Sequence, residues 1–297
     1  MTSIDIVDLL TIILVVVDDG YIAKGHQLRA GKAGVKPEFR DSEVLTLWVA
    51  PAFIPYPGET QFVAYIRANH RREFPKLVDQ SQYNRRARQW WQVLEALRQA
   101  WVSLLGASTD KYLLLDTKPV PVMGYTRSKR RSDFAGRASY GDCAARKLHY
   151  FGYKLVMLTT LTGVPVVYDL VPANLEERDA AEAVIGRVSD CDIFGDKGFL
   201  GDEWQASVRQ RSGNRVWTPK RANQTQQNPA AFDQLLKRLR ERIEASFHQV
   251  QNTGRNWERL LAKTVQGLYT RVIAKLASLT LRILLKRDFG IDVLSFS

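Results

Sequence analysis

The sequence predicts an α/β protein in which a mixed five-stranded sheet flanked by helices follows an all-helical N-terminal region. Three observations carry this. Residues 1 to 105 read as helix throughout, β-rich runs begin at Tyr112, and strand and helix patterns then alternate up to a long amphipathic stretch at 228 to 251. The expected domains are a helical one over 1–108, an α/β core over 109–254, and a helical extension over 255–297 packed on the core.

The chain has 297 residues, enough for two separate cores, with 45% hydrophobic and 25% charged residues. Such a composition excludes a disordered chain. Lys and Arg number 43 against 31 Asp and Glu, a net charge of +12, and the excess points to a polyanion as partner: DNA, RNA or an anionic membrane surface. The two cysteines, Cys143 and Cys191, lack metal spacing and imply a reduced, cytosolic compartment rather than a disulfide framework. Four scattered histidines make a zinc site a poor fit, so a metal here calls for carboxylates.

The apolar run Leu9 to Val17 is flanked by Asp5, Asp8, Asp18 and Asp19 and is too short to span a bilayer. It lacks the basic start of a signal peptide, and a buried helix is expected, with no membrane partner. Asp41 or Ser42 is placed to cap a helix carrying Val44, Leu45, Leu47 and Trp48, and ETQFVAYIRANH predicts a third helix. Ser81 opens a long fourth, with Trp90, Val93, Leu94, Leu97, Trp101 and Leu104 at helical spacing and Arg85, Arg86 and Arg88 in its first turns. These arginines suit either a DNA-binding helical module or a solvated basic face.

From Tyr112 the runs YLLLDTKPVPV, YFGYKLVMLTTL and VPVVYDLVPAN predict three strands, the last two joined by a turn at Thr162-Gly163. A helix over EERDAAEAVIGRV, a strand at CDIFGDKGF, a helix over GDEWQASVRQR, a strand at RVWTPK and the long helix complete the order βββαβαβα. That is the order of the ribonuclease H-like fold. Residues 123 to 148 interrupt it with a basic loop, in which Lys129, Arg130 and Arg131 are candidate phosphate contacts.

Transfer of a phosphodiester calls for activation of the attacking oxygen, stabilisation of the leaving one, and neutralisation of the phosphate. Hard divalent ions held by carboxylates from separate elements meet all three needs. Asp116 ends the strand YLLLD, Asp196 follows a strand in GDKGF between Gly195 and Gly198, and Glu244 lies at the edge of the apolar stripe Leu236, Leu239, Ile243, Phe247 and Val250. Alone, Glu244 reads as the partner of Arg240 in an i,i+4 pair. Together the three acids form a candidate metal site.

At these residues the chain resembles the DDE transposases of bacterial insertion sequences, most closely the insertion sequence 982 family. The matching stretches are LLLDTKPVPV, YFGYKLVML, FGDKGF and RERIEASFHQV, preceded by FPKLVDQSQYNRRAR. The resemblance implies a DNA transposase whose Asp116, Asp196 and Glu244 are catalytic and hold two Mg²⁺ or Mn²⁺ ions per active site. It also implies terminal inverted repeats and target DNA as partners, a homodimer on DNA, and a bacterial cytosol or nucleoid location. DNA contacts are expected at Arg85, Arg86, Arg88, Lys129, Arg130, Arg131, Lys197, Lys220, Arg221 and Arg240, with Trp217 a candidate for stacking on an unpaired base. Lys237 and Gln251 stand where related families carry a tyrosine and a lysine. A nuclease without strand transfer and a non-catalytic DNA-binding protein are the alternatives.

Overall fold

The structure, a computed structural model, describes residues 4–25, 37–54, 56, 58–126, 130–143, 147–222, 224, 227–252, 257 and 260–291. The chain divides into two compact units: Met1–Leu105 with Val250–Ser297, and Gly106–Gln249. The C-terminal segment is thus grouped with the N-terminal helices. The expected phosphate contact at Lys129 lies outside the described residues.

The helical unit contains α1 (Ile6–Gly20), α2 (Asp41–Val49), α3 (Glu59–Asn69), α4 (Gln80–Gln89), α5 (Trp91–Leu104) and α9 (Val265–Phe289). In α1 the expected buried helix is present: Leu9, Leu10, Ile13 and Val17 are inside, while Val7 and Val15 face solvent. No helix among the described residues is long and apolar enough to cross a membrane. The centre of the unit is α9, buried on nearly every side, with Lys275 and Arg282 inside among its apolar residues. Trp48 Nε1 on α2 donates to the Thr270 carbonyl (3.2 Å), and Ser278 Oγ donates to the Val49 carbonyl (3.0 Å), so polar groups as well as apolar ones tie α2 to α9.

Two helix starts differ from expectation. Arg40 rather than Asp41 or Ser42 precedes α2, its backbone N–H donating to Glu43 Oε2 (2.6 Å). Asp41 is thereby turned inward, where Arg86 Nη2 donates to it at 2.6 Å and the Tyr21 hydroxyl at 3.1 Å. Asp79 caps α4 through the backbone N–H groups of Ser81 and Gln82 (2.8 and 2.9 Å), two residues ahead of the expected start at Ser81. The long fourth helix is in fact two, α4 and α5, because Trp90 leaves helical geometry (φ −100°, ψ 14°) to bury its ring edge-on against Tyr21.

The second unit holds β1 (Tyr112–Met123), β2 (Ser139–Cys143), β3 (Leu148–Thr160), β4 (Pro165–Pro172), α6 (Glu177–Ile185), β5 (Asp192–Phe194), α7 (Asp202–Ser212), β6 (Arg215–Trp217) and most of α8 (Ala230–Asn252). The strands form one mixed sheet in the order β2-β3-β1-β5-β6, with β4 also on β3. β1 and β3 run antiparallel, and β1, β5 and β6 run parallel. This is the ribonuclease H-like arrangement expected, with a sixth strand inside the region read as a basic loop. β2 pairs with Leu148–Gly152 and β4 with the following part of β3, so the two share one edge of that strand.

Individual residues explain the register. Gly152 is required where β3 passes β1: a Cβ there would lie 2.1 Å from the Val120 carbonyl oxygen. Gly163, at φ 86°, makes the β3–β4 turn predicted at Thr162-Gly163. The buried Asn214 accepts from the Cys191 backbone N–H (3.0 Å) and donates to the carbonyls of Val188 (2.9 Å) and Ile185 (3.2 Å), joining the end of α6 to β5 and β6. Both cysteines are free, and burial pushes the Cys191 thiol up.

Candidate active site

The parallel pairing of β1 and β5 brings two of the three expected acids together. Leu114 pairs with Phe194, and Asp116 and Asp196 each lie two residues further along, so they occupy equivalent places beyond the paired segment of neighbouring strands. Side chains at such places belong to a crevice at the carboxyl ends of a parallel sheet. Asp116 Oδ1 accepts from the Thr117 backbone N–H (2.7 Å), and Asp196 Oδ1 from the Gly198 N–H (2.8 Å) at the start of the 3₁₀ turn Lys197–Phe199.

Helix α8 lies over this pair. Leu236, Leu239, Arg240 and Ile243 line a cavity of about 10 Å³ with Leu115, Asp116, Phe194, Gly195 and Asp196, a space on the scale of a single water. The apolar stripe predicted for this helix buries Leu236, Leu239 and Ile243. Arg240 is the charged residue that α8 contributes to the cavity lining. Glu244 is one turn further on, more than half exposed, and its Oε1 accepts from Arg240 Nε at 2.9 Å. Among the described residues, no group of three or more His, Cys, Asp or Glu side chains is gathered closely enough to hold a metal ion. The structure thus brings Asp116 and Asp196 together and leaves the Glu244 carboxylate on Arg240.

A further acid, Glu177, stands beside the aspartates and was missed in the sequence. It opens α6, accepts from Thr117 Oγ1 at 2.8 Å, and is 3.4 Å from Lys154 Nζ, which also donates to the Leu175 carbonyl (2.5 Å). A Cβ added at Gly198 would lie 3.0 Å from both Asp196 Oδ1 and Glu177 Cγ, so this glycine leaves the two acids their room. Gly195 serves packing instead, since a Cβ there would meet the Phe199 ring at 2.8 Å. Nothing in the local spacing marks Glu177. The only signal is an acid in the first turn of a predicted helix, a routine position.

The electrostatics follow. Burial raises the Asp116 carboxyl from its ordinary 3.8 to about 7, the Thr117 N–H opposes the rise, Asp196 and Glu177 add to it, and Arg240 opposes it. Two aspartates and a glutamate crowd more negative charge here than Arg240 and Lys154 offset. Hard carboxylate oxygens under such strain suit a divalent cation of the Mg²⁺ type. Asp116 and Asp196 supply two such carboxylates, and among the described residues no third is gathered with them closely enough to complete a site. Glu244 fits only if it leaves Arg240, and an exposed i,i+4 pair holds it by about 0.3–0.5 kcal/mol.

The remaining expected DNA contacts are dispersed. Arg85, Arg130, Arg131, Lys197 and Arg221 are exposed, and Lys220 pairs with Asp202 at 3.1 Å. Arg86 is used internally, on buried Asp41 and over the Phe39 ring at 5.5 Å. Trp217 is half-exposed, donates to Asp192 Oδ1 (2.8 Å) and meets Phe232 edge-on. Lys237 is exposed on α8.

A curled mixed sheet with paired acids beyond neighbouring parallel strands and a helix across them defines a ribonuclease H-like core. The family described as Transposase DDE domain matches residues 107–281, more than half of the chain, and the chain belongs to that family. Neither a curated protein nor a solved structure gives a match.

Proposed function

We propose that the chain is the transposase of a bacterial insertion sequence of the insertion sequence 982 type. It binds the terminal inverted repeats of its element, cuts there, and joins the freed 3′-hydroxyls to target DNA. The observation that carries this is the side-by-side placement of Asp116 and Asp196 beyond β1 and β5, in a chain of the DDE transposase family.

When bound, two Mg²⁺ or Mn²⁺ ions supply activation of the attacking oxygen and stabilisation of the leaving one. Asp116, Asp196 and Glu244 would hold them. Arg240, released from Glu244, is then a cation for the phosphate, and Lys197 is a second. The helical unit is the DNA-binding module in this reading, through Arg85 and Arg88, with Arg86 as its internal brace. Arg130, Arg131, Lys129, Lys220 and Arg221 extend the DNA surface on the catalytic core. A homodimer on DNA, in the bacterial cytosol or nucleoid, would hold two ends at once.

The test is cleavage and joining on the DNA that flanks this gene. The expected result is nicking and strand transfer that need Mg²⁺ or Mn²⁺ and are lost in Asp116→Ala, Asp196→Ala and Glu244→Ala. Cutting without joined product would make the chain a nuclease; cutting by all three variants at the unmodified rate would refute the site.

A further inference from the structure

A second cavity of about 320 Å³ lies in the helical unit, between α4 and the first turns of α9. Its lining carries three cations, Arg88, Lys263 and Arg271, and among the described residues no carboxylate lines it. The wall they share is Gly267. A Cβ there would lie 3.1 Å from Arg271 Nη1 and 4.0 Å from Arg88 Cδ, so both arginines lean over one bare stretch of backbone. The nearest acid is Glu59, outside the lining and 3.7 Å from Arg271 Nη2; it also accepts from Gln80 (2.5 Å) and Asn84 (2.8 Å), the amides on the opposite wall.

Three further features point to an anion. Arg88 Nε is buried and has no hydrogen-bond partner among the described residues, a cost that a ligand oxygen would remove. The cavity opens on the N-terminal turn of the 25-residue α9, whose dipole favours negative charge, although Thr264 Oγ1 already accepts from the Gly267 N–H (3.0 Å). Gln266 Nε2 donates to the Arg88 carbonyl at 3.2 Å, which holds the two walls together before any ligand arrives. Guanidinium groups at a bare backbone suit bidentate contact with phosphate oxygens.

We propose that this groove clamps the sugar-phosphate backbone of DNA, with Arg88 and Arg271 on the phosphates and Lys263 at the exposed rim. The inference deepens the transposase reading and rests on it. It assigns Lys263 and Arg271, which sequence reasoning passed over, to the same surface as Arg88. The contacts are to backbone, so they add affinity without sequence preference.

The experiment measures binding of the full-length protein to a labelled duplex of the flanking DNA and to an unrelated duplex, across a range of NaCl. Arg88→Gln and Lys263→Gln should each weaken both duplexes by about five- to tenfold near 0.1 M salt and lower the salt slope by about 0.9. Lys76→Gln, which removes an exposed lysine paired with Glu38, should change neither. Lys263 is exposed, so its loss leaves the fold intact and keeps the test open even if Arg88→Gln is unstable. Unchanged affinity and slope in both groove variants would overturn the clamp and leave the transposase reading standing. Failure of the unmodified protein to bind either duplex would overturn both. Groove-dependent thermal stabilisation by inorganic phosphate or pyrophosphate, with duplex binding unaffected by the variants, would replace DNA by a free phosphate as the occupant.

Discussion

Replacing Asp116 with asparagine should stabilise the protein above neutral pH. Asn keeps an oxygen for the Thr117 N–H and removes the charge that burial and two neighbouring acids oppose. The sign is fixed by the raised value: the folded chain holds a proton that the unfolded chain releases. Stability from this group is therefore complete below about 4 and is lost as the pH rises through about 7. A rise from 3.8 to about 7 has a ceiling near 4 kcal/mol at 1.36 kcal/mol per pH unit. The residue keeps some solvent contact, and relaxation of the site with partial screening reduces this to about 2 kcal/mol. For a unit of this size that is a rise in Tm of about 4–8 °C at pH 8, shrinking to nothing near pH 4. Scanning calorimetry of both proteins from pH 4 to 8, without metal, reads it directly. Added Mg²⁺ should raise the Tm of the unmodified protein at pH 8 and leave the Asn variant nearly unchanged. Parallel Tm curves for the two proteins across the whole range would refute the reasoning.

Glu244→Ala should reduce cleavage to background yet move stability by under about 0.5 kcal/mol, because its partner among the described residues is an exposed i,i+4 arginine; urea midpoints beside an end-cutting assay separate the two effects. Asp41→Ala should cost about 3–5 kcal/mol, since it leaves Arg86 uncompensated inside the helical unit, and the loss should be insensitive to added salt in thermal melts. Gly152→Ala should destabilise the core by more than about 3 kcal/mol, because a methyl group 2.1 Å from the Val120 carbonyl forces β1 and β3 apart, and the yield of soluble protein would show it first.

What the sequence made legible was set by the length and regularity of its patterns. β1, β3 and β4 are long β-branched and aromatic runs, and each is present where expected. β2 was hidden because SYGDC has no apolar alternation; it is a strand only through its pairing with β3. The break at Trp90 was hidden for the opposite reason, since helical spacing continues unbroken through a residue whose ring is drawn to Tyr21. The aspartate pair followed from strand ends alone, as parallel neighbours place their final residues side by side. The state of Glu244 did not, because a rotamer choice worth a fraction of a kcal/mol leaves no trace in periodicity. Glu177 and the Arg88–Arg271 groove depend on residues far apart in the chain, which no local pattern joins.

The membership of α9 in the helical unit has a consequence for synthesis on the ribosome. Residues 106–249 contain every strand of the sheet and are complete while α9 is still unmade. The helices at the N-terminus are made first and yet wait longest, holding open the surfaces of α2, α4 and α5 that the last long helix covers. A chain cut short before Val265 would thus carry an intact sheet and an unfinished helical unit, with Trp48 and the faces of α2, α4 and α5 that meet α9 left to find other cover.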